Sequence, residues 1–124
     1  PDKDCVAVTG EAGLGYMLGQ LEVALRQQIG ITVVHVSNGG FAGYGPGFWG
    51  DGHDPFTHKV LGYDDVDMSK VIGELGYHTE RVTEPTDVVL ALKRAFDVNK
   101  SGQPAYIELI CSQFPIYVGW VSKS

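Results

Sequence analysis

Apolar residues along the chain fall into short continuous runs that alternate with segments of helical spacing. Two runs rich in β-branched residues, Val6–Val8 and Ile31–Val36, predict strands buried in a sheet, and Ala105–Cys111, which alternates imperfectly, predicts the last strand. Tyr77–Val82 predicts a shorter, partly polar strand. Glu108 is the odd polar residue of the last run, and we expect it at the sheet surface or at the strand end.

Helices are predicted between these strands. The first has an apolar face that ends before Gly30, the predicted stop, and that face comprises Leu14, Met17, Leu18, Leu21, Ala24 and Leu25. A second runs from a cap at Asp67 to Gly76. A third follows Pro85 over Thr86–Asp97, with Val88, Leu92, Ala95 and Phe96 on its buried face. Strands that alternate with helices predict an α/β fold, three-layer α/β/α with a mainly parallel sheet, as a single domain over residues 1–124.

The segment from Thr9 to Asn38 forms a strand–turn–helix–strand unit, in which the helix is long enough to connect two parallel strands. If those strands are neighbours, Glu11 and Asn38 both lie just past strand C-termini, at the edge where open α/β sheets bind ligands. A carboxylate and an amide offer oxygen ligands that suit Mg²⁺ or Ca²⁺. Backbone N–H groups of Ala12 and Gly13, in the turn at the helix start, suit an anion such as a phosphate.

Two glycines within the first predicted helix, Gly15 and Gly19, are four positions apart and therefore share a face. Glycine weakens a helix by about 1 kcal/mol relative to alanine. Close packing against a neighbouring element and simple tolerance are both open explanations.

Composition excludes several functions. The 124 residues carry a formal net charge of −6 without clustered basic residues, which argues against a nucleic-acid partner. No apolar run reaches the roughly 18–20 residues of a membrane span, and no signal peptide is visible. Cys5 and Cys111 lie in apolar runs, and we expect buried free thiols in a reducing cytoplasm rather than a disulfide.

Other phosphate-binding and catalytic motifs fit poorly. A dinucleotide fold wants G-x-G-x-x-G with an acid ending the next strand, whereas this turn places its glycines at positions 10, 13 and 15 and an asparagine at 38. Neither G-K-[S/T] nor G-x-S-x-G occurs, so a Walker loop and a serine nucleophile are absent from the sequence. The remaining alternative is that Glu11 and Asn38 only cap and turn the chain.

At these positions the chain resembles the C-terminal cofactor-binding domain of thiamine-diphosphate-dependent enzymes, of the acetolactate synthase and 2-oxoacid decarboxylase kind. That family has a G-D-G or G-D-A triplet followed by an asparagine 27 positions after the acid. Here G-E-A at 10–12 is followed by Asn38 at the same spacing. The resemblance continues through N-G-G at 38–40, G-E-L-G-Y at 73–77, R-V-T-E-P at 81–85 and P-A-Y-I-E-L at 104–109.

The resemblance implies a site for thiamine diphosphate and Mg²⁺. Its cofactor-binding residues are Gly10, Glu11, Ala12, Gly13, Asn38 and Gly40. Among them Glu11, the Asn38 side chain and the Gly40 carbonyl would be the metal ligands, and no catalytic side chain is assigned. Glu11 departs from the family, which has aspartate at this position. Phe41–Asp64, rich in glycine and aromatic residues, is expected to cover the site.

As for function, the resemblance implies part of a lyase or transferase that decarboxylates or joins small 2-oxo acids. The family's activating glutamate belongs to a pyrimidine-binding domain on another subunit, and an upstream strand and helix of the same domain normally precede Cys5. We therefore expect no catalysis by the chain alone, and a homo-oligomer or a complex with a complementary pyrimidine-domain subunit. The alternative is a stand-alone, non-catalytic binding or assembly module derived from that fold.

Overall fold

A computed structural model describes residues 3–39 and 66–111 of the chain. Strands and helices alternate along it. In chain order the elements are β1 (Val6–Thr9), α1 (Glu11–Met17), α2 (Leu21–Arg26), β2 (Thr32–Ser37), α3 (Met68–Leu75), β3 (His78–Val82), α4 (Val88–Asn99) and β4 (Ala105–Ile110). Single 3₁₀ turns, Leu18–Gln20 and Pro85–Asp87, precede α2 and α4.

All neighbouring strands of the sheet pair in parallel, in the order β1-β2-β4-β3. β1 and β2 are neighbours, with Val6 opposite Thr32 and Thr9 opposite His35. The connections that follow both strands therefore leave the sheet at the same edge. This arrangement confirms the predicted strand–helix–strand unit.

Helices cover the two faces of the sheet around two apolar clusters. One cluster joins α1, α2 and α3 to the sheet and contains Leu14, Leu21, Val33, Ile72, Tyr77 and Tyr106. The other joins α4 to the opposite face and contains Val82, Ala91, Ala95, Ala105 and Ile107. Successive residues of β4 point to opposite faces, so Tyr106 enters one cluster and its neighbours enter the other. The predicted three-layer α/β/α fold is confirmed.

The predicted first helix is interrupted and ends earlier than expected. It consists of α1, a 3₁₀ turn and α2, and it stops at Arg26. Gln28, not Gly30, adopts the left-handed conformation after it, with φ of 52°. Position 30 requires glycine for another reason. A Cβ there would lie 2.1 Å from the carbonyl oxygen of Asn99. The chain leading into β2 passes against the end of α4 too closely for a side chain.

Both predicted ends of α3 are confirmed. The Asp67 side chain accepts a hydrogen bond from the Lys70 N–H, 3.1 Å away, and so caps the helix. Gly76 ends the helix with φ of 110°, a conformation that favours glycine. In α4 the fully buried positions are Ala91 and Ala95, because the helix lies close to the sheet there. The larger predicted residues Leu92 and Phe96 are only partly buried.

β1 is an edge strand whose α4-side face is largely exposed, which corrects the prediction of a buried strand. Val8 is 70% exposed and Val6 46% exposed. The predicted burial of Cys5 and Cys111 is also wrong, since both thiols are exposed, although both are free as expected. Within residues 3–39 and 66–111, no helix is long and apolar enough to cross a bilayer.

Replacement of Tyr77 by phenylalanine tests the first cluster. The buried Tyr77 hydroxyl donates a hydrogen bond to the Leu21 carbonyl, 2.8 Å away, and burial raises the pKa of Tyr77 to about 12. We expect Tyr77→Phe to lower the free energy of unfolding by about 1 kcal/mol at pH 7, measured by urea denaturation. Tyr16→Phe is the matched control. Tyr16 is 91% exposed, so loss of its hydroxyl should leave the free energy of unfolding unchanged.

The same variant carries a pH dependence. Ionisation of Tyr77 is suppressed in the folded state, whereas in the unfolded state it occurs near pH 10. The contribution of Tyr77 to the free energy of unfolding is therefore fully present below about pH 10, and it is lost as the pH rises towards the folded pKa of about 12. The stability difference between wild type and Tyr77→Phe should shrink over that interval; a constant difference would contradict the assignment.

Candidate functional site

Glu11 is the first residue of α1, one position after the turn that leaves β1, and it is almost completely buried. Its carboxylate oxygen Oε1 accepts hydrogen bonds from the backbone N–H groups of Asn38 (2.7 Å) and Gly39 (2.9 Å), just past β2. Gly39 has φ of 84°, so the chain turns there in a conformation that favours glycine. The structure thus places Glu11 directly against the Asn38 turn.

These contacts leave the two oxygens of Glu11 with different surroundings. Among the described residues, the two hydrogen bonds of the carboxylate and its 3.8 Å contact with Nε2 of His35 all involve Oε1. Hydrogen bonds from N–H groups to a charged carboxylate are stronger than neutral ones, so Oε1 is firmly placed.

His35 lies beneath Glu11 and is fully buried in β2. Its Nδ1 is 2.6 Å from the Tyr106 hydroxyl, and its Nε2 is 3.8 Å from Glu11 Oε1. Burial lowers the pKa of His35 below its ordinary value, although the charges of Glu11 and Glu108 act in the opposite direction. His35 is therefore a neutral imidazole near pH 7.

Glu108 is fully buried in β4, which corrects the prediction of a surface or strand-end position. Its Oε2 accepts a hydrogen bond from the Ser69 N–H (3.0 Å) and lies 3.8 Å from Nε of Arg81. Arg81 also reaches Asp67 at 3.3 Å. A hydrogen bond from the Ser69 hydroxyl holds the pKa of Asp67 well below its usual range.

Polar residues occupy one row across all four strands. Thr9 is opposite His35, His35 is opposite Glu108, and Glu108 is opposite Arg81. The sequence showed each of these residues separately but not the row, because strand order cannot be obtained from spacing. Period-two alternation would have placed Tyr106 and Glu108 on one face, and this was the signal for the buried carboxylate.

A cleft of about 290 Å³ opens beside Glu11 on the α1 side of the sheet edge. Its wall is mostly apolar, with Glu11, His35 and Ser37 as its polar members. The lining residues are Glu11, Leu14, Gly15, Leu18, His35, Ser37, Val66 and Met68. The cleft and the Glu11–Asn38 contact are therefore parts of one site.

The start of α1 has no side-chain cap. Gly10, the N-cap residue, supplies no side-chain hydrogen bond to the first helical turn, and helix N-termini can bind anions through their N–H groups. A Cβ at Gly13 would lie 2.2 Å from the Thr9 hydroxyl oxygen, which explains a glycine at this position. By contrast, no described atom lies within 4 Å of a Cβ at Gly15 or Gly19, which favours simple tolerance.

Five of the six predicted binding residues come together at this edge: Gly10, Glu11, Ala12, Gly13 and Asn38. Gly40 and the Phe41–Asp64 segment lie outside the described residues. Within the described ranges no group of three or more His, Cys, Asp or Glu side chains could hold a metal. A cation here would depend on one carboxylate together with amide and carbonyl oxygens, and that assignment stays a prediction.

Glu11 and Asn38 thus lie together at the C-terminal edge of a parallel α/β sheet, the edge at which open α/β domains bind ligands. A family model described as "Thiamine pyrophosphate enzyme, C-terminal TPP binding domain" matches residues 1–109. The chain belongs to this family, whose cofactor is thiamine diphosphate. The predicted resemblance is confirmed.

Individual relatives agree with that membership. The chain is 27% identical over 123 residues to a 2-hydroxyacyl-CoA lyase of Oryza sativa subsp. japonica, covering 92% of this chain and 20% of the lyase. Its fold is similar to that of a thiamine diphosphate-dependent 4-hydroxybenzoylformate decarboxylase of Rhodococcus jostii RHA1, with a TM-score of 0.69, 19% identity, 93% of this chain covered and 21% of that chain.

A putative thiamin diphosphate-dependent enzyme of Mycobacterium smegmatis is also similar, with a TM-score of 0.65, 21% identity, 92% of this chain covered and 19% of that chain. The chain thus spans about a fifth of the length of each of these relatives. At these identities the two solved structures support the fold alone.

Gly13→Ala and Gly15→Ala form a matched pair in α1. We expect Gly15→Ala to raise the free energy of unfolding by about 0.5–1 kcal/mol, because the added methyl meets open space and alanine favours helix. The free energy of unfolding of Gly13→Ala should be about 1–3 kcal/mol lower than that of Gly15→Ala, because the methyl group added at position 13 collides with Thr9. Urea denaturation measures both.

The double variant Thr9→Ala/Gly13→Ala removes the collision and should recover most of the loss. Equal stabilities of Gly13→Ala and Gly15→Ala would show that the Thr9 contact does not explain the glycine.

Proposed function

We propose that this chain binds the diphosphate of thiamine diphosphate through Mg²⁺ at the Glu11–Asn38 edge, as the cofactor-binding part of a 2-oxo acid decarboxylase or carboligase. The observation that carries the proposal is the contact of the Glu11 carboxylate with the Asn38 turn, at 2.7 Å. It unites an acidic side chain and an amide residue from two separate connections. Family membership supplies the identity of the cofactor.

The residues at the Glu11–Asn38 edge suit Mg²⁺ and a diphosphate. Magnesium prefers oxygen ligands and usually binds one or two carboxylates together with phosphate oxygens. In the proposed arrangement Glu11 and Asn38 hold the cation with the Gly40 carbonyl as a third ligand, while the N–H groups of Ala12 and Gly13 bind the diphosphate. The uncapped helix start and the placement of Glu11 Oε1 by backbone N–H groups support these roles.

Thiamine diphosphate, when bound, supplies the nucleophilic carbon that attacks a 2-oxo acid and accepts the charge left by decarboxylation. The part of this chain is to bind and orient the cofactor. The acidic side chain offsets the cation's charge, and the backbone turn at Asn38 and Gly39 is fixed by its bonds to Glu11. The cleft beside Glu11 offers the cofactor a mostly apolar wall on one side of the site.

Glutamate in place of the family's aspartate makes the acidic arm one methylene longer. Magnesium requires near-ideal octahedral geometry at roughly 2.1 Å, so the longer arm must be accommodated by the surrounding structure. Here the carboxylate is drawn back against the Asn38 and Gly39 backbone, which takes up part of the additional length. We propose a working site of reduced affinity.

Catalysis by this site would require a pyrimidine-binding domain, from a complementary subunit or a second polypeptide of an oligomer. The exposed apolar side chains of edge strand β1 support a further contact there, since proteins usually cover such edges. We propose that the complete enzyme acts on a small 2-oxo acid. We propose a cytoplasmic location, supported by two free thiols.

Calorimetric titration with thiamine diphosphate tests the proposal. We expect Mg²⁺-dependent binding to the wild-type chain with a dissociation constant above about 1 μM, because only part of the cofactor's surroundings is supplied. Glu11→Asp should tighten binding about tenfold by restoring the shorter arm. Glu11→Gln should abolish the Mg²⁺ dependence because the charged ligand is lost. Decarboxylation of pyruvate should be undetectable with the chain alone.

Glu74→Gln is the matched control, since Glu74 is exposed on α3 and carries the same charge change. It should bind like wild type. Absence of binding in both wild type and Glu11→Asp would contradict the proposal and favour a non-catalytic module. Equal binding after removal of Mg²⁺ with EDTA would contradict the metal-bridged arrangement.

A further inference from the structure

We infer that His35, oriented by Tyr106, is a positioning residue that holds the Glu11 carboxylate for the cation. The inference deepens the proposed function and rests on it for the cation itself. His35 reaches Glu11 from below the sheet edge, with 3.8 Å between Nε2 and Oε1. The two backbone N–H groups reach the same oxygen from the Asn38 turn.

A histidine in this strand needs an explanation. β2 is otherwise apolar or β-branched along its buried part, and His35 has no exposed surface. Burial of a polar side chain is unfavourable unless its atoms are hydrogen-bonded. Nδ1 is satisfied by Tyr106, but Nε2 has no hydrogen-bond partner among the described residues. His35 is one of the residues that line the cleft, and its Nε2 is on the side of Glu11.

Tyr106 determines which nitrogen carries the proton. Burial, with the charges of Glu108 and Glu11, raises the pKa of Tyr106, so its hydroxyl stays protonated. If the hydroxyl donates to Nδ1, the proton of His35 is on Nε2 and faces the carboxylate. The opposite tautomer would direct a nitrogen lone pair at a negative oxygen, which is repulsive. We therefore assign the Nε2–H tautomer.

The consequence concerns the longer arm of Glu11. A separation of 3.8 Å exceeds a hydrogen bond, so the Nε2–H acts as a dipole that attracts Oε1 within a buried, weakly screened site. Together with the two backbone donors it limits the orientations open to the carboxylate. Ordering before the cation arrives reduces the entropy lost on binding. An aspartate at position 11 would not extend to His35 and would not need this restraint.

The experiment measures Mn²⁺ affinity by electron paramagnetic resonance of the free ion, at saturating thiamine diphosphate. His35→Asn can still bond Tyr106 but lacks the Nε2 donor, whereas His35→Gln places a donor near the Nε2 position. We expect His35→Asn to weaken Mn²⁺ binding about tenfold and His35→Gln to stay within about twofold of wild type. Tyr106→Phe keeps the ring and removes the hydroxyl, so binding should weaken about threefold even if His35→Asn does not fold.

Repeating these substitutions in the Glu11→Asp variant distinguishes a positioning role of His35 from a purely structural one. With the shorter arm, His35→Asn and Tyr106→Phe should change Mn²⁺ affinity by less than about twofold. Equal losses in the wild-type and Glu11→Asp backgrounds, or unchanged affinity of all variants that retain Glu11, would overturn the inference.

A second measurement removes dependence on the proposed function. Urea denaturation of the metal-free wild type, His35→Asn, Glu11→Asp and the double variant gives the coupling between the two side chains. We expect a coupling of at least about threefold in the folding equilibrium constant. If wild type binds no Mn²⁺ but the coupling is present, the proposed function fails and the restraint on Glu11 stands. If coupling is below about twofold, the inference fails whatever the metal result.

Discussion

The carboxylate of Glu11 connects the chain segments that follow β1 and β2, and the geometry of the site depends on this contact. Two backbone N–H groups, at 2.7 and 2.9 Å, converge on a single oxygen that is nearly buried. Charge-assisted hydrogen bonds of this kind are stronger than neutral ones, and without them the buried charge would be unfavourable. The turn at Asn38, the helix start at Glu11 and the parallel pairing of the two strands therefore support one another.

Beneath that contact, the sheet contains more polar groups than its apolar sequence runs suggest. The row of Thr9, His35, Glu108 and Arg81 crosses all four strands. Buried charges are tolerated when they are paired and hydrogen-bonded, and Glu108 obtains both from Ser69 and Arg81. Glu108 also accepts a hydrogen bond from the Ser69 N–H, and Ser69 and Lys70 donate to Asp67, so this end of the row contributes to the start of α3.

Local chemistry made some of the structure predictable. Asp67 and Gly76 bound α3 because a capping carboxylate and a left-handed glycine act within a few residues of themselves. The Glu11–Asn38 pair was predictable because each residue closely follows a strand of one strand–helix–strand unit, and parallel strands end at the same edge of a sheet. The spacing between the two residues was informative through the resemblance to the family. The prediction that Gly30 ends the helix was wrong, because the glycine is required there by the close backbone of Asn99, which is distant in sequence.

By itself the sequence determined the order and type of the elements, the α/β class and the candidate pair of Glu11 and Asn38. These follow from periodicity, capping and spacing, which are properties of contiguous chain. Tertiary structure alone decided that β4 lies between β2 and β3, which buries Glu108 and places Tyr106 against His35. It also left β1 at an edge with Val8 exposed. The reason is that strand order is fixed by packing between residues far apart in sequence, on which local patterns carry no information.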